Sequence, residues 1–226
     1  MKKQKLIRLS FLSVALILIS FKNNSKNDFG PEIKDIDGNT YSTVKIGNQN
    51  WMVGNLNVGH FRNGVIIQEA KTNEEWIKAS KEHKPAWCYY KNDTSAGKKF
   101  GKLYNWFAIN DESSICPEGW HISTSKDWEQ IQNLFGKANC NKLKSKTGWS
   151  KSCSLGNNES GFAGLPGGRR TPDGEFEYES DGLFWCSNQF GPMTEMAWSY
   201  RLGCNGNFNN GAEEKGEGQS VRCVKD

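Results

Sequence analysis

A chain of 226 residues is long enough for one domain with a real core, or for one domain and an appendage. Lys and Arg number 29 against 25 Asp and Glu, a formal charge of +4, but six of the positives (Lys2, Lys3, Lys5, Arg8, Lys22 and Lys26) fall in the first 26 residues, which hold no acid. Without those six the balance is −2, and a near-neutral domain lacks the clustered Lys/Arg footprint of a nucleic-acid binder, so that partner class is excluded.

The basic front leads into an apolar run from Leu9 to Phe21, too short to span a bilayer comfortably as a helix. It reads as a signal peptide over residues 1–21, with an uncleaved anchor as the alternative and no transmembrane span beyond it. Leu18-Ile19-Ser20-Phe21 has the outline of a lipoprotein box with Phe where the lipidated Cys would stand, so lipidation is not expected. Residues 22–32, rich in Asn, Lys and Ser, read as a linker, and the folded domain is expected over 33–226.

From Ile33 to Leu56 the pattern alternates and turns at Asp37-Gly38-Asn39 and Gly47-Asn48, which are hairpin signals. Asp35, Asp37 and Asn39 imitate a calcium loop, but Thr40 replaces its Gly and Ile46 its bidentate Glu, so a turn is preferred. Residues 70–84 predict a charged, exposed helical turn or lid. PAWCYYKND predicts a short strand, and GKLYNWFAIN a short buried helix. In CPEGWHISTSKDWEQIQNLFG, Thr124 is a good N-cap and Asp127 sits at the positive helix end. Trp128, Ile131, Leu134 and Phe135 form an apolar stripe, and Gly136 stops the helix. After Gly148 come short strands in GFAGLPGG, EFEYE, LFWCSN, AWSYRLG and QSVRCVKD. Two helices with short antiparallel sheets and long loops make an α+β domain.

Seven cysteines in an exported chain predict disulfides with one thiol left over. No C-x-x-C occurs and His60, His83 and His121 are scattered, so neither a metal nor a cofactor is implied. Glu175, Glu177 and Glu179 alternate along one face, as a solvated strand face does. No Ser/His/Asp order, G-x-S-x-G or P-loop stands out, so no catalytic residue is assigned. Trp106, Trp120, Trp128, Trp185 and Trp198 are expected to fill the core. The segment AWSYRLGCNGNFNNG reads first as a Gly/Asn hairpin turn, but its mixture of aromatics, Arg and Asn is also that of an adaptable recognition surface.

Together WCYYKND, GKLYNWFAIN, CPEGWHISTSKDWEQI, ESGFAGLPGGRR, FWCSN and QSVRCVKD resemble, in order, the Fibrobacter succinogenes major paralogous domain family, which is similar to the C-type lectin-like superfamily. The resemblance covers about residues 33–226. It implies export, a C-type lectin-like domain, and a bridge from Cys116 to Cys223, with Cys88 as the rival partner. Closeness in the chain then suggests Cys140 with Cys153 and Cys186 with Cys204, leaving Cys88 free. Calcium-dependent sugar binding is not supported, because Thr171-Pro172-Asp173 stands without a Trp-Asn-Asp. The oxidase branch of the superfamily needs two close cysteines for copper, and Cys186 and Cys204 suit a disulfide better.

The expected function is non-enzymatic binding outside the cell, the ligand a carbohydrate or another surface protein. An oxidoreductase or hydrolase and a purely structural envelope component are the alternatives. The lectin-like arrangement gathers the loops ahead of the last strand, which makes Trp198, Tyr200, Arg201, Asn205, Asn207, Phe208 and Asn209 the candidate ligand site. Period-two alternation separates Trp198 and Tyr200 from Ser199 and Arg201. If the first pair faces the core, only Arg201 and the Asn cluster can reach a ligand.

Overall fold

The computed structural model describes residues 28–226. The expected signal segment 1–21 and the first part of the 22–32 linker lie outside the described residues. Among the described residues no helix is long and apolar enough to cross a membrane.

The described residues open with β1 (Asp28–Lys34), β2 (Thr40–Ile46) and β3 (Gln49–Met52). Residues 28–32, expected as linker, therefore form most of an edge strand. Its side chains are mostly exposed, so no hydrophobic pattern announces it, and pairing with β2 alone makes it a strand. The β2–β3 turn is the expected Gly47-Asn48, with Ile46 paired to Gln49 and Gly47 at φ +60°. The Asp35–Asn39 turn is closed from within: Asp35 accepts from the Asn39 amide at 2.9 Å and from the Tyr41 hydroxyl at 2.6 Å.

β4 (Gln68–Glu69) leads to α1 (Asn73–Lys81), capped by Thr72 and Glu75. This helix is not a loose lid. Trp76 is fully buried and its indole N–H donates to Thr171 O at 2.9 Å, which docks the helix on a distant turn. β5 (Ala86–Cys88) is only three residues of the expected PAWCYYKND strand. A 3-10 turn at Tyr90–Asn92 follows, with Lys91 and Asn92 both left-handed, and then α2 (Thr94–Phe100), capped by Asp93. β6 (Leu103–Tyr104) takes the start of the expected GKLYNWFAIN helix, leaving α3 (Trp106–Ile109) with Asn105 as its cap. With α4 below, the described residues thus hold four helices, not two.

β7 (Trp120–Ile122) enters α4 (Ser125–Phe135) through a reciprocal Thr124/Asp127 capping box, and Gly136 at φ +77° ends it. Trp128 and Ile131 are fully buried, but Leu134 is exposed. At about 100° per residue Trp128, Ile131 and Phe135 share one arc and Leu134 falls about 60° outside it. It lies instead against the Gly47 turn, where a Cβ would stand 2.9 Å from its Cδ1.

GFAGLPGG makes no strand of its own; it forms isolated bridges from Gly164 to Lys144 and from Gly168 to Gly182 at the start of β10. β8 (Arg169–Arg170) pairs with β9 (Phe176–Glu177). β10 (Gly182–Gln189), β11 (Met196–Leu202) and β12 (Phe208–Glu214) form an antiparallel sheet, and β13 (Cys223–Lys225) closes the chain. The expected Gly/Asn hairpin turn lies at Gly203–Asn207, between β11 and β12, but the Asn and Gly residues after it continue as strand, because β11 offers β12 seven paired positions from Met196 to Leu202.

The fold is mixed α/β with several short, mainly antiparallel sheets. The largest has the order β1-β2-β3-β13-β7, so the last strand lies between strands from early and middle sequence. Both its faces are covered: Met52 and Cys223 point into one core with Trp106 and Trp120, while Trp51 and Val224 point into another with Trp128, Phe162 and Tyr200. A third cluster, under α1, gathers Trp76, Cys88, Tyr90 and Leu103.

Candidate functional site

Two adjoining depressions of about 640 and 600 Å³ share Glu179 and Ser180 and make one long groove. Its first half is built where β10 begins and β11 ends. Asp181 precedes β10 and is buried; it accepts from Arg201 Nε at 2.7 Å and from the Cys204 N–H at 2.6 Å. One carboxylate therefore holds both the Arg201 side chain and the backbone at the end of the hairpin.

Tyr178 forms the ridge beside this pair. The residue is 40% exposed, with the Arg201 guanidinium 4.2 Å and the Arg169 guanidinium 4.7 Å from its ring centroid. Its φ of +52° is one that bulky residues rarely adopt, and such strain is maintained only where the surroundings enforce it. This kink breaks the alternation expected across Glu175–Glu179: Glu177 bonds Arg169 at 2.8 Å, while Glu179 swings across the groove to Lys91 at 3.0 Å.

Arg169 is held from behind by Glu177, Glu213 and Glu217. Burial, then the Glu213 charge, pushes Glu217 up to about 8. The groove floor carries the Cys153–Cys204 disulfide. Beneath it the buried Lys144 ammonium donates to Ser154 O and Oγ and to Cys204 O at 3.0–3.3 Å, and burial lowers its pKa. The second half of the groove is more apolar, with Tyr90, Phe100 and Trp149 among its lining.

Of the seven residues expected at the ligand site, Arg201 and Asn205 line the groove. Tyr200 and Phe208 belong to the core instead: the Tyr200 ring stacks on Trp128 at 5.1 Å and Phe208 meets Trp128 at 6.0 Å. Trp198 is half-buried, 4.5 Å from Phe190. Asn207 and Asn209 are exposed but do not line the groove. The sequence reading missed Tyr178, Asp181, Ser154 and Trp149. Asp181-Gly182 could have been seen as the turn entering β10; nothing local marked the others.

Cys116 is bonded to Cys223, joining the entrance of β7 to the last strand. Cys88 cannot compete, since its β4-β5-β6 sheet is separate from the one holding β13. The expected pairs Cys140–Cys153 and Cys186–Cys204 are replaced by Cys153–Cys204, with Cys88, Cys140 and Cys186 free and buried. Cys186 points from the middle of β10 into the core around Trp128, whereas Cys204 lies beyond the end of β11, where its carbonyl accepts from the Ser154 N–H at 2.9 Å. Neighbourhood in sequence did not predict neighbourhood in space.

His121, in β7, bridges two acids at the start of α4 and the end of the chain: its Nδ1 lies 2.8 Å from Asp226 and its Nε2 3.2 Å from Asp127. Asp127 is committed to the α4 cap, so this cluster holds a helix end rather than poising a base.

No curated protein and no solved structure matches the chain. The sequence model of the Fibrobacter succinogenes major domain matches residues 44–225, from the middle of β2 to the end of β13. Since that match takes in both bridged cysteine pairs, α1 to α4 and every strand from β3 onward, the chain belongs to the Fibrobacter succinogenes major domain family.

Proposed function

We propose that the chain is an exported, non-enzymatic binding domain of C-type lectin-like fold, and that its ligand, a carbohydrate or another surface protein, occupies the groove between Tyr178 and Trp149. The observation that carries this reading is the ridge itself: an exposed ring held between two guanidiniums, beside an Arg201–Asp181 pair and the side chains of Ser154 and Asn205. A flat ring meets the apolar face of a sugar or peptide while fixed donors and acceptors meet its polar edge. Two disulfides favour an oxidising compartment. The lectin-like assignment is supported by the insertion of β13 between β3 and β7 and by its bridge to Cys116. Copper chemistry of the oxidase kind is disfavoured because Cys204 is bonded to Cys153 and leaves Cys186 without a thiolate neighbour.

Glycan-array and envelope-protein pull-down screens of the oxidised chain test the proposal. Tyr178→Ala and Asn205→Ala should each weaken the ligand found by about tenfold or more while melting close to wild type. Failure to retain any glycan or protein would favour the structural-component reading, and unchanged binding by both variants would remove the groove as the site.

A further inference from the structure

The ligand class of the groove can be narrowed from the way its charged groups are used, a step that rests on the groove being the binding site. The carboxylates that line it are all committed to the protein. Asp93 accepts from the Ser95 N–H at 2.8 Å and from the Ser95 hydroxyl at 2.7 Å, Asp181 from Arg201 and the Cys204 N–H, and Glu179 from Lys91. Among the described residues the donors are not all committed. Lys99 meets no carboxylate there; its Nζ lies 4.7 Å from the Phe100 ring centroid and its stem passes Gly148, where a Cβ would stand 3.7 Å from Lys99 Cε. Arg201 turns Nε and Nη2 to Asp181, which leaves Nη1 without an acceptor among the same residues.

Lys144 adds a charge from below. Its Nζ donates to Ser154 O, Ser154 Oγ and Cys204 O, while the Ser154 hydroxyl hydrogen goes to Asn141 Oδ1 or Cys204 O, each 2.9 Å away. Three bonds donated by one nitrogen require the ammonium form. The same nitrogen lies 4.2 Å from the Trp149 ring centroid, so it stands under the join of the two halves: Ser154 and Cys204 line one, and Trp149 the other. Lys144 is fully buried and these acceptors are neutral oxygens. A buried ammonium without a bonded carboxylate is costly, and a negative charge in the groove above it offsets that cost. The chain beyond its first 26 residues carries −2, so the positive field belongs to the groove floor and not to the whole surface.

The hydroxyls of the lining favour a sugar as the carrier of that negative charge. Ser95, Ser150, Ser152, Ser154 and Ser180 follow the groove, whereas serine is depleted and aromatic side chains are enriched where one protein buries another. We infer that the ligand is an anionic glycan, a chain of sugars bearing carboxylate or sulfate groups, with its charges over Lys144 and toward Lys99 and Arg201, and its hydroxyls on the serines.

The test is calorimetric titration of the oxidised full chain with matched pairs: an oligogalacturonate beside its carboxyl-reduced form, and an oligocarrageenan beside its desulfated form. At least one charged member should bind about tenfold or more tightly than its neutral partner, and the pair that does so identifies the anion as carboxylate or sulfate. Lys99→Gln should lose about threefold of that preference while melting close to wild type, whereas Tyr178→Ala should weaken charged and neutral members alike. Equal binding of charged and neutral members, both weakened by Tyr178→Ala, overturns the inference and leaves the groove as the site. A charge preference that Lys99→Gln leaves intact comes from scattered surface lysines and overturns it too. Binding that neither variant changes removes the groove itself. No binding of any pair, with an envelope protein retained by way of Tyr178 instead, assigns the groove to a protein ligand and overturns the glycan.

Discussion

Arg169 and Arg170 are consecutive in the chain and meet opposite worlds. On the two-residue strand β8 they point to opposite sides. Arg169 lies at the ridge with three carboxylates and the Tyr178 ring. Arg170 is fully buried between Trp76 and Phe176 and donates only to neutral oxygens, among them Ala70 O, Thr72 O, Gly174 O and Asn73 Oδ1. Arg222 repeats the second pattern inside the main core, with Asn55, Met52, Phe162 and Ala163 as its acceptors, and burial lowers it to about 9. A guanidinium has five donors in a rigid fork, so one buried arginine can satisfy carbonyls from several loops that have no ladder partners. In this loop-rich domain the core arginines serve as struts; the ridge arginines position a surface.

The comparison breaks most easily at the struts. Arg222→Met leaves at least four acceptors unpaired in the core and should cost about 3 kcal/mol or more, read by urea unfolding. A loss below about 1 kcal/mol would show that water or rearrangement replaces the strut. Arg169→Met should cost less, about 1–2 kcal/mol, since Glu177 and Glu213 can turn to water although Glu217 stays buried.

Glu217 sharpens the same contrast through pH. Its folded-state pKa lies above its ordinary value of 4.5, at about 8, so it contributes stability below 4.5 that is lost as pH rises through 8. Glu217→Gln should therefore be more stable than wild type at alkaline pH and equal to it in acid. Parallel pH curves for the two proteins would mean that Glu217 is not raised behind Arg169. The smallest effect is expected at His121, whose pKa is raised chiefly by its hydrogen bond to Asp127. That contribution is complete below the ordinary histidine value of 6.5 and disappears as pH rises through the raised one. His121→Gln should flatten the stability profile slightly across that window, with little change above it.

The elements legible in the sequence are those whose signals are local. The α4 cap needs only Thr124, Asp127 and Gly136, and the β2–β3 turn only Gly47-Asn48; these residues satisfy backbone groups within a few positions of themselves. β12 shows the opposite case. Phe208–Glu214 has Asn, Asn and Gly where a strand would favour branched residues, and the ladder from β11 overrides that weak propensity. The left-handed Tyr178 is likewise invisible locally, because its conformation is imposed by arginines from β8 and β11.

The sequence by itself determined the helix entrance at Thr124, the turns, the alternation that separates Tyr200 from Arg201, and, through the resemblance of its motifs in order, the family. Only the tertiary structure decided that Cys204 bonds to Cys153, that β13 lies between β3 and β7, and that Asp181, Tyr178 and Ser154 join Arg201 and Asn205 in one groove. The physical reason is reach. Caps, turns and strand periodicity are set by forces acting over a few residues, whereas a disulfide or a groove depends on which distant segments the closed chain brings within a few ångströms, and no short stretch carries that information.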